Sequence, residues 1–273
     1  ASGTTKTMSG AFDVLTGGPG FFADIGAGLS GVEFGSNAWG DYDNDGDRDL
    51  VVTGRDGSGN PTATIYRNDG GTLAPIGAGL AGVFQGSSTW GDYDNDGDLD
   101  LVVTGRDASS NSTATIYRND GGGTFTNINA GLVGVRGSSS DWGDYDSDGD
   151  LDLVVTGLDA SSSRTAMIYR NDGGGTFTDI GAGVAGVSSG SSEWGDVDRD
   201  GDLDLVITGR DGSSNPTATI YRNDGGGTFT DSGVSLTDVS ISSSDWGDYD
   251  EDGDLDLVIT GQDGSGTQTT TIY

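Results

Sequence analysis

The chain has 273 residues, with 52 glycines, 4 prolines and no cysteine or histidine, and its 44 acidic against 12 basic residues give a formal net charge of −32. That charge sets long-range repulsion against nucleic acid and against anionic membrane surfaces. Absent cysteine excludes disulfides, and no apolar run approaches the roughly 20 residues of a membrane helix.

Residues 1 to 14 match no later stretch and read as a tail or linker. The start, Ala1-Ser2-Gly3-Thr4-Thr5-Lys6, lacks the charged and apolar regions of a signal peptide, which suggests a mature or trimmed chain. From Leu15 to Tyr273 everything falls on one repeat of about 52 residues, a single folded domain. Its marks are Trp39, Trp90, Trp142, Trp194 and Trp246, spaced 51, 52, 52 and 52 residues apart. The short first interval lacks one glycine of a turn, at Asp69-Gly70-Gly71-Thr72.

Every Trp-Gly is followed by carboxylates at alternate positions and then by an apolar run, as in Asp41-Tyr42-Asp43-Asn44-Asp45-Gly46-Asp47-Arg48-Asp49-Leu50. The copies supply Asp41, Asp43, Asp45, Asp47 and Asp49; Asp92, Asp94, Asp96, Asp98 and Asp100; and Asp144, Asp146, Asp148, Asp150 and Asp152. Two more follow, with Asp196, Asp198, Asp200, Asp202 and Asp204, then Asp248, Asp250, Asp252, Asp254 and Asp256. Like charges about 4 Å apart repel by roughly 4 kcal/mol at an effective dielectric near 20, so such a turn wants a cation. Oxygen donors in a flexible, glycine-containing loop suit Ca2+, about five ions in all, one per repeat. Positions 1, 3, 5 and 9 would give carboxylates and position 7 its backbone carbonyl; the position 7 side chains can equally face water. An EF-hand needs a bidentate Glu at position 12 on a helix, whereas position 12 is Val52 and strand follows. The competing reading, a solvated acidic turn, weakens with each of the copies.

Within a unit four short β segments are expected, in the third copy Ser140 to Asp144, Asp152 to Thr156, Thr165 to Arg170 and Thr176 to Ile180, separated by glycine-rich turns. Leu153-Val154-Val155 is apolar on both faces and must be covered on both. Sheets stacked around an axis provide that cover, so the expected fold is all-β, a five-bladed β-propeller of four-stranded antiparallel blades. Phe22-Ala23-Asp24-Ile25-Gly26-Ala27-Gly28 matches Phe177-Thr178-Asp179-Ile180-Gly181-Ala182-Gly183, so residues 15 to 38 can supply the outer strand of the last blade and close the ring. A strand-exchanged assembly and an open solenoid remain alternatives.

With Trp90 to Gly105, Trp-Gly-Asp-Tyr-Asp-Asn-Asp-Gly-Asp-Leu-Asp-Leu-Val-Val-Thr-Gly, in view, the chain resembles the FG-GAP or VCBS repeat family, the calcium-loop propeller repeats also found in the integrin α-subunit head, although five units are fewer than that head's usual seven. The resemblance implies metal loops between strands 1 and 2 of each blade, on one face of the disc. It also implies a partner face on the opposite side. Calcium sites of millimolar affinity usually belong outside the cell, so the expected location is extracellular or at the cell surface.

The expected role is a non-catalytic adhesion or recognition module for glycans or proteins, as a monomer or a head-to-tail assembly, with a structural, self-assembling subunit as the alternative. A carbohydrate-active enzyme is the remaining possibility, but without His, Cys, a nucleophile elbow or a phosphate-cradling lysine loop, enzyme chemistry has little to stand on. A carboxylate-only glycosidase needs a singular, asymmetric pair, whereas nearly every Asp belongs to the repeats. Arg67, Arg118, Arg170 and Arg222 are expected to neutralise nearby Asp. Arg55, Arg106 and Arg210, replaced by Leu158 and Gln262 in the other copies, vary as a binding face would, and the tryptophans fit wedges between blades.

Overall fold

A computed structural model describes residues 24–273 and is all-β, with no helix among them. The expected tail, residues 1 to 14, and the start of the expected closing segment, residues 15 to 23, lie outside the described residues.

Five antiparallel sheets follow one another as blades. Blade 1 is β1 (Val32–Gly40), β2 (Asp49–Asp56), β3 (Pro61–Asp69) and β4 (Thr72–Pro75); blade 2 is β5 (Ser88–Gly91), β6 (Asp100–Arg106), β7 (Ser112–Asn119) and β8 (Phe125–Asn127). Blade 3 is β9 (Arg136–Gly143), β10 (Asp152–Leu158), β11 (Arg164–Asn171) and β12 (Phe177–Asp179), and blade 4 is β13 (Ser192–Gly195), β14 (Asp204–Arg210), β15 (Pro216–Asn223) and β16 (Phe229–Asp231). Blade 5 has three strands among the described residues: β17 (Ser240–Gly247), β18 (Asp256–Gln262) and β19 (Gln268–Ile272). Order within each sheet is the order in the chain, the arrangement of a β-propeller.

The cores sit between blades, because each second strand is apolar on both faces. One cluster joins Val51 and Ile65 of blade 1 to Leu101, Val103 and Tyr117 of blade 2, and equivalent clusters fill the next three gaps. Four of the five tryptophans are wedges between blades, as their fixed place beside glycine suggested, whereas Trp39 is 51% exposed. Trp90 stacks on Tyr42 of the preceding blade with ring centroids 6.3 Å apart and planes at 13°, and its indole N–H donates to Ala38 O at 3.2 Å. Trp142 on Tyr93 and Trp194 on Tyr145 repeat the contact. Gly40, Gly91 and Gly143 make room for it, since a Cβ there would lie 2.8, 2.7 and 2.6 Å from the following blade's indole.

The closing strand is not seen among the described residues. Ile76, Ile128 and Ile180 each donate a backbone N–H to their own blade's third strand, at Ile65, Ile116 and Ile168. Ile25, the equivalent of these, makes no such bond to Ile272, is 73% exposed, and lies in a stretch, Asp24 to Gly31, with no strand. That linker instead follows blade 1, where Ser30 N donates to the Tyr66 hydroxyl.

Candidate metal centres

Each acidic turn leaves the Trp-Gly end of an inner strand and feeds the second strand, so position 1 and position 9 flank the turn on adjacent strands. The glycines at position 6, Gly46, Gly97, Gly149, Gly201 and Gly253, hold φ between +88° and +97°, a region that needs glycine. Position 1 folds the turn around itself: the Asp41 carboxylate accepts from Asp45 N at 3.1 Å and Gly46 N at 3.0 Å. Position 9 anchors it. Asp49 is fully buried and accepts from Tyr42 N at 3.0 Å and Asn68 N at 2.8 Å; Asp100, Asp152 and Asp204 do the same.

Each turn gathers three carboxylates whose oxygens lie within 4.8 Å of one another. They are Asp41, Asp43 and Asp45 in blade 1; Asp92, Asp94 and Asp96 in blade 2; Asp144, Asp146 and Asp152 in blade 3; Asp196, Asp198 and Asp204 in blade 4; and Asp248, Asp250 and Asp256 in blade 5. Position 5 therefore completes the cluster in the first two turns and position 9 in the last three. Within these clusters Asp43 Oδ1, Asp146 Oδ1 and Asp196 Oδ1 are buried with no hydrogen-bond partner among the described residues. Burial, and next the neighbouring carboxylates Asp45, Asp96 and Asp148, push Asp43, Asp94 and Asp146 above the ordinary carboxyl range. Burial likewise lifts Asp100 and Asp152 to about 7. Orphaned oxygens, an all-oxygen donor set and carboxyls that resist ionisation unaided fit a hard divalent cation.

The position 7 carboxylates join none of these clusters. Asp98 accepts from Asn44 Nδ2 at 2.8 Å, Asp150 accepts from Asn95 Nδ2 at 2.7 Å, and Asp254 pairs with Arg199. Each tie runs to position 4 of the preceding blade's turn, where Asn44, Asn95 and Arg199 sit at φ of +57° to +60°. Asp47 instead accepts from Gly70 N at 2.8 Å, and Asp202 lies outside the clusters.

A second set of ties was missed in the sequence. Asn119 Nδ2 donates to Leu99 O in its own blade's turn and to Tyr42 O in the preceding one, while its N–H reaches Asp100; Asn171 and Asn223 repeat this. The repeated Asn-Asp-Gly-Gly-Gly turn carried the signal. Arg67, Arg118, Arg170 and Arg222 neutralise the aspartate of that same turn, Asp69, Asp120, Asp172 and Asp224, as expected.

On the opposite face, Arg106 and Arg210 donate to carbonyls of their own strand 2 to 3 loops, and Arg55 lies 4.0 Å from the Phe84 ring centroid and 3.3 Å from Glu33. Where Leu158 stands instead, Arg136 reaches across to Asp159 O and Ser162 Oγ. At the axis, Phe34, Gln85, Gly137, Ser189 and Ile241 all hold φ of +50° to +55° and rim a cavity of about 610 Å³.

Three carboxyls outside the repeat pattern, Asp141, Glu193 and Asp245, precede tryptophans on inner strands, and burial shifts the first two. Asp141 accepts from Trp142 N at 3.0 Å and from Trp194 N of the next blade at 3.1 Å, and burial lifts it to about 6. Glu193 accepts from Ser191 Oγ at 2.9 Å, and burial lifts it to about 7 from an ordinary 4.5. Neither lines the axial cavity. A carboxyl raised in the fold favours the protonated native state, so this contribution is whole below about 4.5 and is lost as pH climbs to about 7. Glu193→Gln in saturating calcium should therefore flatten the loss of stability across that window. By pH 8 it should gain on the order of 1–2 kcal/mol over the parent, the shift being discounted for partial solvent screening, as read by denaturant titration at each pH.

A search of the curated proteins returned no match. Among solved structures, the V. cholerae biofilm matrix protein Bap1 is similar at 16% identity and a TM-score of 0.48, over 89% of this chain and 38% of that one. The rhamnogalacturonan lyase YesW is similar at 14% identity and a TM-score of 0.51, over 87% of this chain and 48% of that one. The chain thus spans less than half the length of either protein. The FG-GAP-like repeat profile matches at residues 41–103, 92–155, 144–207 and 196–259, each span running from one acidic turn through the second strand of the next blade. Repeat length, turn and blade order thus agree, and the chain belongs to the FG-GAP-like repeat family.

Proposed function

We propose that this is a non-catalytic, extracellular, calcium-braced propeller that recognises a glycan or protein through the face opposite its metal turns. Calcium would be held by the three clustered carboxylates of each turn. When bound, it neutralises them and stiffens the hairpin that carries the blade's core strand.

The observation that supports the recognition face is the axial rim. Five positions that share a left-handed φ carry Phe34, Gln85, Gly137, Ser189 and Ile241, so one scaffold presents a different residue from each blade, with a side chain from all but the third. Left-handed backbone at non-glycine residues costs of order 1–3 kcal/mol each, and such strain clusters at binding sites. Ile241, β-branched, is the most demanding.

An array of glycans and matrix proteins tests this. Gln85→Gly with Ser189→Gly removes two rim side chains while relieving strain, so the fold persists. Binding to the array hit should need calcium and fall at least about tenfold in the double variant, a change of about 1.4 kcal/mol. Binding indifferent to the rim overturns the reading, and new reducing ends on a polysaccharide replace it with an enzyme.

A further inference from the structure

Blades 1 and 5 end the array with the two halves of an interface that the molecule builds four times internally. A fixed chain of backbone bonds marks each internal joint near the axis: Gln85 N to Phe34 O at 2.8 Å, Gly137 N to Gln85 O at 2.6 Å, Ser189 N to Gly137 O at 2.8 Å and Ile241 N to Ser189 O at 2.7 Å. Ile241 O and Phe34 N are the next acceptor and donor in that series, and among the described residues they are not joined to each other.

The aromatic joint behaves the same way. Tyr42, Tyr93 and Tyr145 are buried under the tryptophan of the following blade, whereas Tyr249, their equivalent in blade 5, is 75% exposed. Trp39, the tryptophan that would cover it, is 51% exposed. Gly195 of blade 4 lies against Trp246, while a Cβ on Gly247 of blade 5 would meet nothing within 4 Å.

We propose that these two faces form one interface between molecules, with the first blade of a second copy of this chain seated on the fifth blade of the first. The second copy's Trp39 then lies over Gly247 and against Tyr249, continuing the internal series by the same contacts. The occupant follows from continuity: blade 5 presents Trp246-Gly247-Asp248-Tyr249-Asp250 where blade 1 presents Trp39-Gly40-Asp41-Tyr42-Asp43, and what covers the latter is a blade of this kind. Because the two surfaces differ, the contact is heterologous and head-to-tail, so it propagates. One charge opposes it. Position 4 of blade 5 is Glu251, which in the internal pattern faces the next blade's position 7, here Asp47 of the second copy. Association should therefore strengthen with divalent cation and with ionic strength, the reverse of a joint held by opposite charges.

Sedimentation velocity of the full chain in calcium, from about 1 to about 100 μM, reads the outcome, a range that brackets a micromolar contact. The expected result is a weight-average mass that at least about doubles over that range and rises further with salt. Tyr249→Asp spoils only the fifth-blade face and Trp39→Asp only the first-blade face. Each variant alone should stay monomeric, while their equimolar mixture should form a dimer and stop there, which a misfolded variant cannot do. A parent chain monomeric throughout, whether its own first blade closes the seam or nothing does, overturns the proposal. So does a mixture that stays monomeric while the parent associates.

Discussion

Stripping calcium with excess EDTA should lower the melting temperature by about 15–25 °C. Each site held at ten times its dissociation constant adds about 1.4 kcal/mol, so five independent sites add about 7 kcal/mol, and at this chain length each kcal/mol shifts the midpoint by about 2–4 °C. The structure gives the loss a mechanism beyond mass action. Without a cation the clustered carboxylates repel one another, while Asp43, Asp94 and Asp146, pushed up by burial and then by a neighbouring carboxylate, take up protons more readily, and the position 1 and position 9 groups that fold and anchor the turn belong to those clusters or adjoin them. The turns are also linked through Asn44 to Asp98 and Asn95 to Asp150, so loosening one loosens its neighbour. Differential scanning calorimetry with and without chelator measures the shift, and a melt that does not move removes calcium from the stability of the fold.

Trp142→Ala should cost about 3–5 kcal/mol, the range for deleting a large aromatic from a packed site. Trp142 stacks on Tyr93 at 6.3 Å, meets Phe177 at 5.9 Å, and donates its indole N–H to Thr89 O, so its removal leaves a cavity between blades 2 and 3 and an unpaired carbonyl. Trp39→Ala removes the same side chain from the open end of the array, where it is half exposed, and at low protein concentration should cost about 1 kcal/mol. Equal losses in urea titrations of the two variants would mean that the first and fifth blades touch in solution as the internal ones do.

The repeat made much of this legible from residues alone. Alternating carboxylates around a glycine gave the turn, Leu-Val-Val gave a strand covered on both faces, and Trp-Gly gave the wedge and the flat surface it lies on. Strand positions in blade 3 agree to within a few residues, except that β9 starts at Arg136, before a register shift opposite β10. What stayed hidden depends on how blades are arranged rather than on local pattern. Position 4 to position 7 ties join residues 54 or 55 apart, and nothing in either turn announces the partner. The left-handed rim at Phe34 and Ile241 carries no glycine to signal it, because tertiary packing imposes that backbone against residue preference. Val197 stands where three other blades have the stacking tyrosine, so the joint between blades 4 and 5 lacks the aromatic pair that the repeat led one to expect. Ring closure turns on a strand that begins outside the described residues.

Calcium stoichiometry decides whether the acidic turns are metal sites. Equilibrium dialysis at millimolar calcium should find close to five ions per chain, one for each carboxylate cluster, and Asp94→Asn with Asp96→Asn should remove one of them. A chain that binds no calcium, or one ion irrespective of that substitution, would contradict it.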